Sequence, residues 1–292
     1  MPNPFTFTRV MMAGIRQPIE RTPAAVGLEF EDVAFPSTDG VALKGWFVPA
    51  RAGTDADARP TVIWVHGWPW NRYGNVTGRV PWRDRTVDFL SATKALHNAG
   101  FHVLLFDLAS HGESGRRFPL TYGVREARDY AGAVAYLRSR PDVDGERLGA
   151  IGMSAGGSTV LYGTPDAQPI RALLAVQPTK VKVFGDNMAR SEFGRMGPAL
   201  NKGLDLLYWI LRAPAPKDHD PAIPAGRLGD TVVQYVQGTG DQWGQLDDVE
   251  NMSRATPNSL GVIAYPSEER YGGYAYIDTH TDDVVAFFTA HL

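Results

Sequence analysis

The stretch Arg147–Leu161 reads RLGAIGMSAGGSTVL, and the order of its residue types decides the fold. Leu148, Ala150 and Ile151 form a short apolar run of strand length. Gly152-Met153-Ser154-Ala155-Gly156-Gly157 follows, and then a helix-compatible run. Gly-x-Ser-x-Gly between a strand and a helix is the pattern of a nucleophile elbow. Such a turn is so tight that its neighbours must be small. Gly152 and Gly156 allow strand and helix to approach closely, and Ser154 is held with its hydroxyl exposed in a strained conformation. The helix start beside it offers free N–H groups where an oxyanion could form. Five residues alone are a weak signal, because an ordinary Gly/Ser-rich turn uses the same letters. The strand before and the helix after give the match its meaning.

Around this stretch, strands and helices alternate. Val26–Pro36 and Val41–Val48 alternate apolar and polar residues about Asp39-Gly40, which predicts a β-hairpin. Arg51–Arg59 is small and polar, a loop by composition. Thr61–Val65 reads as a strand, Trp82–Asn98 as a helix closed by Gly100, and Phe101–Phe106 as a strand buried on both faces. Tyr122–Arg138 has helical spacing, and Ala172–Val176 is strand-like. From Gln177 to Gly226 the alternation stops. Apolar residues recur there at loosely helical spacing until Ala213-Pro214-Ala215-Pro216 breaks the pattern. Thr231–Val236 and Leu260–Tyr265 read as strands, Asp247–Ser253 and Asp282–Leu292 as helices. A leading hairpin followed by strand–helix units predicts an α/β protein with a mostly parallel central sheet and helices on both faces. The expected division is a segment 1–25, a core of 26–178 and 227–292, and a mainly helical cap insertion at 179–226. Phe5–Ile19 is a candidate helix lying on the core or on a partner.

The 292 residues are 43% hydrophobic and 21% charged, enough apolar content for a large core. A net charge of −3 gives no overall electrostatic case for nucleic acid or an anionic membrane. With no cysteine, disulfides, thiolate catalysis and Cys-based metal sites are excluded. The apolar piece Val10–Ile15 is too short for a signal core, and no run is long enough for a membrane span, so a cytoplasmic location is expected. No phosphate loop, His-x-x-His pair or carboxylate cluster is present, so neither cofactor nor metal is expected.

Four landmarks stand after predicted strands: HGWP at His66–Pro69, DLASHGESG at Asp107–Gly115, GMSAGG at Gly152–Gly157 and GTGD at Gly238–Asp241. In this order they resemble the serine hydrolases of the α/β-hydrolase superfamily, over nearly all the chain from Val26 onward. DGVALKGWFVPA, Asp39–Ala50, resembles the esterase and peptidase-like branches. HGWP also resembles the His-Gly-x-Pro turn of epoxide hydrolases and haloalkane dehalogenases. Those use an aspartate where this chain has Ser154, which argues against both activities.

A serine hydroxyl needs a base to take its proton, histidine suits that task near neutrality, and a carboxylate orients the imidazole. The resemblance implies the chain order Ser, acid, His. Ser154 is then the nucleophile and Asp241 the acid, with Asp247 and Asp248 in reserve. His280 is the base, since it lies downstream of Asp241 and, unlike His291, not at the end of the chain. The family's base usually stands in the loop after the last strand. Here that loop, Pro266–Gly273, holds no histidine, and Glu269 and Arg270 stand near the expected place. Backbone N–H groups of Trp68 and Ala155 would form the oxyanion hole. Trp70, Tyr73, Met153 and Trp243 are candidate substrate contacts, with Trp82 nearby and Phe184, Met188, Phe193, Leu207 and Trp209 available from the cap. Two readings follow. One is a hydrolase of carboxylic esters or related small acyl substrates acting through an acyl-serine. The other is a non-catalytic or atypical binding protein that lacks the usual histidine after the last strand.

Overall fold

The computed structural model describes residues 3–51, 58–74 and 87–292. Strands β1 (Glu31–Pro36), β2 (Ala42–Val48), β3 (Arg59–Val65), β4 (His102–Phe106), β5 (Val143–Met153), β6 (Ala172–Val176), β7 (Val232–Gly238) and β8 (Asn258–Tyr265) form one sheet. Their order is β1-β2-β4-β3-β5-β6-β7-β8. β2 pairs antiparallel with β1 and with β4, and every other pairing is parallel. The chain has the α/β-hydrolase fold. The central strands carry near-continuous apolar runs because both of their faces are covered. In β3, Val62 and Trp64 enter one core while Ile63 and Val65 enter the core on the opposite face.

Helices α1 (Pro4–Ala13), α2 (Leu90–Asn98), α3 (Ala127–Arg138), α4 (Ala155–Gly163), α5 (Val181–Phe193), α6 (Gly197–Ile210), α7 (Ala222–Ala225), α8 (Leu246–Ala255), α9 (Arg270–Tyr274), α10 (Tyr276–Thr279) and α11 (Thr281–His291) surround the sheet. Leu90 and Leu96 of α2, with Val284 and Phe288 of α11, pack into one core; Tyr130 and Leu137 of α3, with Val249 and Met252 of α8, fill the other.

Three boundaries differ from the sequence reading for local reasons. The first strand begins only at Glu31 because Pro23–Val26 forms a 3₁₀ turn, closed by Gly27 at φ 77°. The helix expected from Tyr122 begins at Ala127. Before it, the Glu126 carboxylate accepts from the N–H groups of Thr121 and Gly123 at 2.9 and 2.8 Å, which holds a turn instead. Arg59, expected in a loop, opens β3. Most of the rest of that loop, and residues 82–86 of the helix expected from Trp82, lie outside the described residues; within them that helix begins only at Leu90. The N-terminal segment holds α1, whose Phe7, Val10, Met11 and Met12 are buried in the core. Its Phe7 ring meets Phe193 of α5 edge-on at 5.0 Å.

Candidate active site

β5 ends at Met153 and α4 starts at Ala155, so the whole reversal falls on Ser154, at φ 55° and ψ −120°. Only a closely packed surrounding holds a non-glycine residue there. The Ser154 N–H donates to the Val176 carbonyl at 2.9 Å. A side chain at Gly152 would meet the Gly156 carbonyl at 2.6 Å, and one at Gly156 would overlap the carbonyls of Val65 and His66. The two glycines therefore make the elbow possible. Ala155 is the first helical residue, so its N–H has no acceptor within the helix.

The His66–Pro69 turn runs against this elbow. A side chain at Gly67 would meet the Met153 carbonyl and the Ser154 Cβ, each at 2.8 Å. His66 donates from Nδ1 to the Gly67 carbonyl at 2.8 Å and accepts from the Leu108 N–H at Nε2, 3.0 Å. Burial pushes its pKa down to about 4. A neutral imidazole thus ties the turn to the loop after β4. His111, also buried and pushed down to about 4, stands beside it with ring centroids 5.0 Å apart.

Asp241 follows β7. Its Oδ1 accepts from the N–H groups of Trp243 and Gly244 at 3.0 and 2.9 Å, and Oδ2 accepts from the Gln237 side chain at 3.1 Å. The second strong partner of Oδ2 is the Arg270 guanidinium, through Nη1. From its other end, Arg270 Nη2 donates to Ser154 Oγ at 3.1 Å and to Thr179 Oγ1 at 2.9 Å. Arg270 is only 3% exposed. Burial, the largest single influence, works to lower its pKa, but the Asp241 charge together with Tyr274 and Tyr271 outweighs it and the net shift is upward. The Arg270 carbonyl accepts from the Gln177 side chain at 2.8 Å, so its backbone is fixed too. Gln177 itself sits at φ 47° at the end of β6. The Tyr274 hydroxyl hydrogen-bonds with both Ser154 and Arg270, and burial pushes it up to about 12.

Ser154 and Asp241 are thus joined through an arginine. His280 is not brought to them. Its ring stacks on Tyr276 with centroids 4.8 Å apart, meets Tyr265 edge-on, and pairs with Thr279 Oγ1 at 2.9 Å. The physical reason is local: Tyr276–Thr279 forms the short helix α10, and His280 caps it at the boundary with α11. Asp247 and Asp248 lie in the first turn of α8, and His291 in the last turn of α11.

Two small cavities meet at Ser154, each with only about 10 Å³ open to the centre of a water-sized sphere. One is walled by Trp68, Trp70, Phe184, Trp243, Tyr271 and Tyr274, and the other by Trp68, Tyr122, Val181 and Phe184. Trp70 and Trp243 line the first of these cavities. Tyr73 and Met153 are buried but are not among the lining residues. Of the cap candidates, Phe184 lines the cavity, Met188 is in the core, and Trp209 is 74% exposed on the outside. Arg270 and Tyr274 are the site residues that sequence reasoning did not assign. The available signal was position: Arg270 stands five residues beyond the end of β8, in the loop where a base was sought.

Residues 62–287 match the model of a family described as the alpha/beta hydrolase family. The chain is 31% identical over 157 residues to the uncharacterized protein YfhR of Salmonella typhimurium, which covers 54% of this chain and 48% of that protein. It is 27% identical over 160 residues to the thiohydrolase aneE of Aspergillus aculeatus, 54% of this chain and 45% of that one. The chain thus spans about half the length of these curated relatives. The esterase Pf2001 of Pyrococcus furiosus superposes with a TM-score of 0.71 at 19% identity, covering 96% of this chain and 98% of that chain. Among the described residues, no helix is long and apolar enough to cross a membrane.

Proposed function

The chain belongs to the α/β-hydrolase family, and from that premise we propose that it is an atypical member, one that binds a small acyl-bearing ligand at the elbow without turning it over through a Ser–His–Asp triad. One observation carries this reading: Arg270 stands between Asp241 and Ser154, where a base would have to be. A base must accept the serine proton. A guanidinium stays protonated far above neutral pH, has no acceptor atom, and is pushed further up here by Asp241 with the neighbouring tyrosines. Tyr274, raised to about 12, is no better as a base near neutrality. Loss of general-base assistance costs roughly 10²–10⁴ in rate. The Ser154 oxygen accepts from Arg270, which leaves its own proton free to donate to a ligand oxygen. The N–H groups of Trp68 and Ala155 are the proposed partners for a carbonyl oxygen, with Trp68, Trp70, Phe184 and Trp243 as its apolar wall.

A second reading is favoured by the intact elbow and by the esterase among the structural neighbours: an acyl-serine esterase using Ser154, Asp241 and His280. It requires Arg270 to leave Asp241 and His280 to leave its stack on Tyr276. A fluorophosphonate probe together with p-nitrophenyl esters separates the two. The binding reading expects no label on Ser154 and no turnover at pH 8, while the esters quench tryptophan fluorescence. Labelling and turnover that both vanish in Ser154→Ala overturn it in favour of the esterase.

A further inference from the structure

The outer side of α6 has no partner among the described residues. Its inner side buries Leu204 and Tyr208, as an amphipathic helix should. The opposite side should then be polar, but it carries Leu206, Trp209 and Ile210 at 55%, 74% and 59% exposure. Leu207 and Leu211 extend the patch, and Met196 stands exposed at the other end of the helix. Fourteen residues make α6 about 21 Å long. Several exposed large apolar side chains on one helix mark an interaction surface rather than scattered surface residues.

The charges carried by this segment itself have one dominant sign, while Asp186 of α5 lies against its inner flank, bonded to Asn201. From residue 195 to 212 the cations are Arg195, Lys202 and Arg212, all exposed, and the one acid is Asp205, partly buried on the flank. α6 packs against α1, and the Tyr208 hydroxyl donates to the Leu120 carbonyl at 2.5 Å. Beside α1, with no lining residue from α6, lies a second cationic surface, a concavity of about 480 Å³. Arg9, Arg16, Arg116 and Arg117 line it, with the exposed ring of Phe118 and no acid among the lining residues. Arg117 is compensated by Asp39 and Asp129, whereas Arg9 and Arg116 have no ion pair among the described residues. The net charge of −3 conceals this local excess.

We propose that this face docks on an anionic lipid surface, with the outer side of α6 entering the headgroup boundary and Arg195, Lys202 and Arg212 contacting lipid phosphates. An apolar helix side carrying tryptophan and rimmed by cations is the composition of an interfacial helix. A second copy of this chain fits less well. A two-fold pairing of this face would bring the cations of both copies, Arg195, Lys202 and Arg212, into one interface with Asp205 as the one acid the segment offers against them. The proposal does not depend on what Ser154 does.

Vesicle co-sedimentation of the full chain tests it. One set of vesicles is phosphatidylcholine alone, and the other has about a third of it replaced by phosphatidylglycerol. Each cation near an anionic surface strengthens binding several-fold, so at least tenfold tighter association with the anionic vesicles is expected, weakening as salt is raised. The triple variant Leu206→Ser, Trp209→Ser, Ile210→Ser, altered only at exposed positions, should lose at least tenfold on those vesicles. The triple variant Arg195→Gln, Lys202→Gln, Arg212→Gln should lose the preference for them. Protein that stays in the supernatant over both vesicle types overturns the proposal, as does binding that neither variant weakens. So does a dimer in sedimentation equilibrium that Trp209→Ser dissociates while no vesicle binding is seen; the face is then a self-association surface.

Discussion

A guanidinium and an imidazole both donate hydrogen bonds, but only the imidazole gives up its proton near neutral pH. That difference at position 270 separates the two functional readings, so the informative substitution is Arg270→His. It sets a titratable ring beside Asp241 and toward Ser154 while keeping a donor for the buried carboxylate. We expect p-nitrophenyl ester hydrolysis to rise at least tenfold over the wild type, with a pH profile climbing through the imidazole range near 6.5. Unchanged turnover in a folded variant would show that more than the base is missing. Arg270→Met leaves the Asp241 charge, 1% exposed, without its counterion. Removing one partner of a buried pair costs about 3–5 kcal/mol, which urea denaturation at pH 7 would read. His280→Ala removes a partly exposed stack on Tyr276; stability should change by no more than about 1 kcal/mol and ligand binding not at all.

At the scale of elements, the elbow depends on how closely β5, α4 and the end of β3 approach. Gly156→Ala drives a methyl group into the Val65 and His66 carbonyls, which belong to a strand end that cannot swing away as a side chain could. We expect a loss of about 3 kcal/mol or more in unfolding free energy, with the tryptophan fluorescence of the site altered. A variant of wild-type stability would mean that the end of β3 yields to the added methyl group. Most elements were legible because their patterns are local. β6 was read at its observed bounds because an isolated apolar run between polar flanks has little choice of structure. The beginnings of β1 and α3 were misread for an equally local reason. The 3₁₀ turn is made by backbone hydrogen bonds and closed by Gly27, and the turn before α3 by the Glu126 carboxylate; hydrophobic periodicity registers neither.

For the whole molecule, buried titratable groups set the response to pH. His66 and His111 are held at about 4 by burial. Their folded values lie below the unfolded value near 6.5. The native state therefore binds fewer protons, and stability present above pH 6.5 is lost as pH falls toward 4. The urea midpoint should drop steadily across that window; a flat response would mean both rings remain hydrated. Asp278 works in the opposite sense. Burial and the Asp88 charge push it up to about 7, and its Oδ1 has no partner among the described residues. Its folded pKa lies above the unfolded one, so its contribution is fully present below about pH 4 and is lost progressively as pH rises from there to 7. Asp278 is partly open to solvent, which reduces the effect. Asp278→Asn should raise Tm by about 2–4 °C at pH 8, by less at pH 5, and leave it almost unchanged near pH 3.

Sequence by itself determined the strand–helix alternation, the elbow with its serine and two glycines, and the carboxylate after the glycine turn. Those features depend on periods of two and 3.6 residues, or on a backbone conformation that few residue types tolerate. It also placed an arginine where a histidine was sought, without showing what that arginine touches. Only the tertiary structure decided that residues 154, 241 and 270 meet while His280 stacks elsewhere. Chain position counts residues between side chains, whereas a hydrogen bond depends on the path of the backbone between them. Here that path includes two short helices, α9 and α10, which the polar, glycine-rich stretch from 266 to 279 does not announce.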